Sequence, residues 1–126
     1  MNPAPRSGPS DPPDLLRISS MRPAPGLVVL EAGGEVDMNT SPLLRNELTT
    51  IIRSRPATLV VDLAAVDFFG SPGIHALMLL YRQCAEDGIH LRLVASRSVR
   101  RVLEIVGVNE TFALFDSRDN AIADRT

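Results

Sequence analysis

The 126-residue sequence predicts a single α/β domain, with a mixed sheet of four to five strands packed with about four helices. Three observations carry this. From Thr58 onward, short β-branched or leucine-rich runs alternate with longer amphipathic stretches, an order that implies right-handed crossovers and parallel pairing. The two apolar runs before that point are separated by a short Pro/Gly segment, as in an antiparallel hairpin, so the sheet is expected to be mixed. A composition of 44% hydrophobic and 22% charged residues suits one soluble core.

Taken in order, residues 1–13 hold Pro3, Pro5, Pro9, Pro12 and Pro13 with Ser7, Gly8 and Ser10 between them, a composition that predicts a disordered tail ahead of a domain over 14–126. Leu15–Met21 reads as a first strand, Met21–Gly26 as a turn and Leu27–Ala32 as a second strand. Thr40 or Ser41 is placed to cap the next helix, with Pro42 in its first turn. Leu43, Leu44, Leu48, Ile51 and Ile52 then make an apolar stripe at helical spacing, and Pro56 stops it. Thr58–Leu63 is nearly all apolar, as a central strand covered on both faces would be. A short turn is expected to follow, leading to a helix that opens at Ser71 and closes at Gly88. Ile89–Val94 alternates as a fourth strand. Arg97–Val106 forms a third helix with Val99, Val102, Leu103 and Val106 inward. Phe112–Phe115 is a last short strand and Asn120–Ala123 a terminal helix.

Several function classes are disfavoured by what the chain lacks. A net charge of -2 gives no electrostatic footprint for nucleic acid or an anionic membrane. No apolar run approaches the roughly 20 residues of a membrane span, and the N-terminus has no secretory pattern, so the expected location is the cytoplasm. One cysteine, Cys84, makes no internal disulfide and reads as a small core residue. Two histidines, His75 and His90, give neither a metal site nor a triad. A nucleophile elbow needs Gly two residues before the serine, where Phe69 stands, and the phosphate-binding P-loop pattern is missing. No catalytic residue, metal or cofactor is expected.

Ser71 is the residue that invites a function. At a strand-to-helix junction its hydroxyl lies at the positive end of the helix dipole, where a phosphate is favoured. From the residues alone an N-cap explains the serine completely, and that is the reading they favour. His75, Met78 and Arg82 follow on the same helix face, and Ile74, Leu77 and Tyr81 on the adjacent core stripe.

The order of elements and the residues at their junctions resemble the STAS domain family, in particular the bacterial anti-sigma factor antagonists. Gly34-Glu35-Val36-Asp37 with Asn39-Thr40-Ser41-Pro42-Leu43-Leu44 is similar to the family's first motif and helix. Val60–Phe68 is similar to its central strand and turn. Gly70-Ser71-Pro72-Gly73-Ile74 stands where the family has Asp-Ser-Ser-Gly-Leu, and Leu91–Val94 and Arg100–Val108 fit its last strand and helix. The resemblance implies partner switching. It matches Ser71 to a phosphorylated serine, implies an anti-sigma factor with serine kinase activity as partner, and implies a phosphatase acting on Ser71. Asp37, Asn39, Thr40, Phe69, Gly70, Pro72, Gly73 and His75 are expected at the partner contact. Gly70 and Pro72 depart from the family's pattern: the first removes an acidic residue, the second a backbone donor. Two alternatives stay open, a STAS docking module that takes no phosphate and a sensor that binds a small anion or nucleotide near Asp37 and Ser71.

Overall fold

A computed structural model of the chain describes residues 15–124. The segment expected to be a tail, residues 1–13, lies outside them. The elements are β1 (Arg17–Ala24), β2 (Leu27–Val36), α1 (Ser41–Arg53), β3 (Thr58–Phe69), α2 (Ser71–Asp87), β4 (His90–Ala95), α3 (Arg97–Ile105), β5 (Ala113–Phe115) and α4 (Arg118–Ala123). The strands lie in sequence order, β1-β2-β3-β4-β5; β1 is antiparallel to β2 and every other pair is parallel. The predicted mixed α/β sheet is therefore present, with five strands and four helices among the described residues.

Strands in sequence order with right-handed crossovers put every connecting helix on one face. There Leu44, Leu48, Ile51 and Ile52 of α1, Leu77, Leu80 and Cys84 of α2, and Val99 and Leu103 of α3 pack on Val28, Leu30, Leu59, Val61, Leu63 and Leu93. The opposite face has a smaller cluster in which Ala121 and Ile122 of α4 cover Val29, Val60 and Val94. Covered on both faces, β2 and β3 carry the continuous apolar runs that marked them in the sequence.

The structure corrects several boundaries. The hairpin turn is only Pro25-Gly26, with Gly26 at φ 77°, because β1 continues to Ala24. Pro23 is tolerated since β1 is an edge strand whose pairing is already irregular between Met21 and Ala24. β2 continues through Gly33 and Gly34 to Val36. Gly34 adopts φ 107°, and a Cβ there would run into the Leu15 carbonyl oxygen, so this rung requires glycine. The expected turn after Leu63 is instead six further residues of β3. Leu43 and Val106, assigned inward, are exposed; Val106 is the C-cap of α3 rather than part of its buried face. Arg92, in β4, is buried beneath α4, where its Nη1 donates to the Ala121 carbonyl at 2.8 Å. Among the described residues no helix is long and apolar enough to cross a membrane.

Candidate functional site

β4 pairs with β3 only as far as Leu63–Ala95, whereas β2 and β3 stay paired to Val36–Phe69. The two central strands thus project beyond the sheet as a ribbon. Their pairing shifts twice, between Glu31 and Gly33 and between Gly34 and Glu35, each time with an extra residue on β3. Each bulge moves the next inward side chain one residue on, so Leu63, Val66 and Phe69 are buried at intervals of three instead of two. Ser96 supports the ribbon from the α3 side: its Oγ donates to the Val66 carbonyl at 2.9 Å while accepting the Val99 N–H at 3.1 Å as the α3 N-cap.

Two loops lie side by side at the ribbon's end, joined by a hydrogen bond from Gly70 N–H to Val36 O of 2.8 Å. The first, Asp37–Thr40, is closed by its own side chains. Asp37 Oδ1 accepts the Asn39 and Thr40 amides at 2.9 and 3.0 Å. Thr40 Oγ1 accepts the Asp37 N–H at 2.9 Å and donates to Glu35 O at 2.8 Å. Thr40 is the N-cap residue of α1 by position, but its hydroxyl serves this loop and makes no cap bond. The closed loop presents Met38, 78% exposed, at its tip.

The second loop ends in Ser71. Gly70, extended at φ −85° and ψ 179°, is the N-cap of α2, which leaves Ser71 as the first helical residue. The N-cap reading of Ser71 is therefore overturned: the serine lies one residue too late, and its hydroxyl makes no hydrogen bond among the described residues. Pro72 is the second helical residue, and the Gly73 and Ile74 amides both turn back to Gly70 O, at 2.9 and 3.3 Å. The first turn of α2 contains no acidic side chain, and its N-cap has no side chain to offer. The positive end of the helix is thus uncompensated beside an exposed hydroxyl.

The other residues expected at a partner contact divide by burial. Asn39 and His75 are exposed; Asp37, Gly70 and Pro72 are half-buried. Thr40, Phe69 and Gly73 are buried, and the Phe69 ring fills the space a Cβ on Gly73 would need. These three shape the tip from within and do not form its surface. What the tip exposes in their place is Phe68 (52%) and Met38, neither of which was expected at the partner contact. The Phe68-Phe69 doublet held a usable signal, because adjacent strand residues face opposite sides and only one ring can be inside. Hollows of about 230 Å³ beside Arg17, Glu31 and Gly33 and of about 190 Å³ beside Tyr81, Cys84 and Phe112 lie away from Asp37 and Ser71. Among the described residues no group of three or more potential metal ligands converges.

With this geometry in place, the likeness to known proteins is specific. The STAS domain family model matches residues 19–121. The anti-sigma-F factor antagonist RsfB of Mycobacterium tuberculosis is 34% identical over 98 residues, covering 77% of this chain and 80% of that protein. The crystal structure of an anti-sigma factor antagonist from Mycobacterium paratuberculosis superposes with a TM-score of 0.80 at 31% identity, over 87% of this chain and 93% of the other. The fold also matches the anti-sigma factor antagonist SpoIIAA, solved unphosphorylated (TM-score 0.71) and phosphorylated (0.67), at 18% identity and over 84% of this chain in both, with 93% and 96% of those chains covered. Fold and matched sequence agree: the chain belongs to the STAS domain family and, within it, to the anti-sigma factor antagonists.

Proposed function

We propose that the protein works by partner switching. With Ser71 unmodified, the tip formed by Met38, Asn39, Phe68, Ser71 and His75 binds an anti-sigma factor that is itself a serine kinase, and so frees a sigma factor. Transfer of the ATP γ-phosphoryl group to Ser71 Oγ, with loss of the hydroxyl proton and release of ADP, expels that partner. A phosphatase hydrolyses the phosphate ester and restores binding. In this reading the protein is a cytoplasmic regulator, a substrate of a kinase and not a catalyst, with no cofactor and no direct contact with nucleic acid or membrane.

The observation that carries the reading is the state of Ser71, exposed and uncommitted at a helix end with neither a capping side chain nor an acidic residue. A phosphate there adds about -1.5 to -2 charges where the dipole favours them, so α2 stays folded while the surface beside Met38 and Phe68 becomes strongly anionic. An apolar or acidic partner surface is then repelled without any rearrangement of the domain. The occurrence of the same fold in phosphorylated and unphosphorylated SpoIIAA supports this economy. A ligand-sensor role at this place is less well supported, because Asp37 Oδ1 is already engaged by its own loop.

The test combines modification and charge. Purified protein mixed with its cognate kinase and ATP should gain one phosphate, on Ser71. Ser71→Ala should retain partner binding, and Ser71→Asp should weaken it with the melting temperature held within a few degrees. The change Gly70→Asp with Pro72→Ser should alter the rate of transfer; the Phe68 ring, 3.2 Å from the new Cβ position, has to give slightly. If the wild-type protein takes no phosphate and the doubly changed protein does, the docking-module reading replaces this one.

A further inference from the structure

One side chain ties the C-terminal helix to the root of the Ser71 ribbon. Arg118, first residue of α4, donates from Nε to Asp62 Oδ2 at 2.9 Å and holds its Nη2 3.1 Å from Glu31 Oε2. Asp62 and Glu31 are direct partners across β3 and β2, so a single guanidinium bridges both strands. Theirs is the last rung before the first bulge; the next is Gly33–Ala65, with Leu63 and Ala64 both opposite Ala32. Asp62 Oδ1 accepts the Ala64 N–H, a donor inside that bulge, at 3.0 Å. A carboxylate only 6% exposed therefore gives one oxygen to α4 and the other to the bulge. The Asp62 hydrogen bond holds the Arg118 guanidinium above its ordinary range, with Glu31 adding to it and burial opposing it. One residue on, after Leu63, β3 leaves β4 and leads through Phe69 and Gly70 to Ser71.

We infer that Arg118 is a positioning residue for the phosphoacceptor: by clamping Glu31 and Asp62 at the base of the bulged ribbon, α4 sets the direction in which β3 delivers Ser71. The residue has to be arginine, because a planar fork presents two donors to two separate carboxylates and an ammonium does not reproduce that geometry. α4 does not depend on the clamp to stay in place. Arg92 holds its Ala121 carbonyl, and Ala121 is fully buried on Val29, Val60 and Val94. Removing the clamp should thus loosen the ribbon before it loosens the helix. The effect on Ser71 rests on the partner-switching reading, whereas the hold on the ribbon does not.

Backbone amide exchange of the full-length chain followed by NMR separates the two. In Arg118→Gln the amides of Ala64 and Phe68–Gly70 should exchange about tenfold faster, while those of Val29, Val60 and Val94 change less than about threefold. Arg118→Lys should behave like Arg118→Gln. Arg100→Gln, which breaks the exposed Arg100–Asp116 pair, should leave all of them unchanged. Affinity for the anti-sigma partner should fall about fivefold or more in both Arg118 variants, a coupling of ordinary size. Uniform acceleration at every site, no acceleration at Ala64 and Phe68–Gly70, rescue by lysine, or an unchanged partner affinity each overturns the inference. If the wild-type protein takes no phosphate at Ser71, the switching reading alone fails, and the exchange pattern still decides whether the clamp exists.

Discussion

Gly34 and Cys84 show how much one residue can hold at stake in this small domain. At Gly34 a methyl group would meet the Leu15 carbonyl on a backbone already at φ 107°. Gly34→Ala should therefore cost about 2–4 kcal/mol by urea denaturation, and a cost under 1 kcal/mol would show that the Leu15 segment simply moves aside. Cys84 is 2% exposed, and its thiol is pushed up to about 11, first by burial and then by the charge of Asp87. The folded state keeps the proton, while in the unfolded chain the thiol loses it near its ordinary value of 9.0. Stability from this group is therefore complete below about pH 9 and is lost as the pH rises through the folded value, about 2–3 kcal/mol in all. Urea midpoints measured between pH 8 and 11 should fall more steeply for wild type than for Cys84→Ala; equal slopes would show that the buried thiol does not carry the effect. The same burial makes the thiol a poor nucleophile, in keeping with its reading as a core residue.

Among the elements, the β2–α1 loop shows why a residue can matter to a surface without lying on it. Asp37 closes the loop that raises Met38, so its loss should act on order before it acts on contact. Asp37→Ala leaves the Asn39 and Thr40 amides without their acceptor and should cost about 1–3 kcal/mol in thermal or urea unfolding. Asp37→Asn keeps an acceptor oxygen in place and should cost much less. If the two variants are equally destabilised, the charge of Asp37, and not its hydrogen bonds, holds the loop. α2 was legible because its bounds are chemical, Pro72 just inside its start and Gly88 past its end. The second half of β3 was not. Two bulges on one strand space its buried residues at 63, 66 and 69, an interval that matches neither the strand period nor the helix period, so the segment reads as a turn.

For the molecule as a whole, the first core residue among the described residues is Leu16, which is buried in the main core, and β1 starts at Arg17. Deleting residues 1–13 spares both, and the melting temperature should then stay within a few degrees; a large drop would mean that the segment packs on the domain. What the sequence determined by itself was the fold class, the alternation of strands and helices, and a serine at a strand-to-helix junction inside a family pattern. Those features are written in periodicity, turn residues and short motifs, each confined to a few neighbouring positions. Tertiary structure decided the rest. It made Gly70 the cap and freed the Ser71 hydroxyl, turned Phe69 inward and Phe68 outward, and spent Asp37 on its own loop. It also joined Asp62 to Arg118 across 56 residues of sequence. The physical reason is plainest for the two phenylalanines and for Asp62. Which side of a bulged strand faces the core, and which distant partner satisfies a buried charge, are settled only when the elements pack, because the cost of burying an unpaired polar group arises only then.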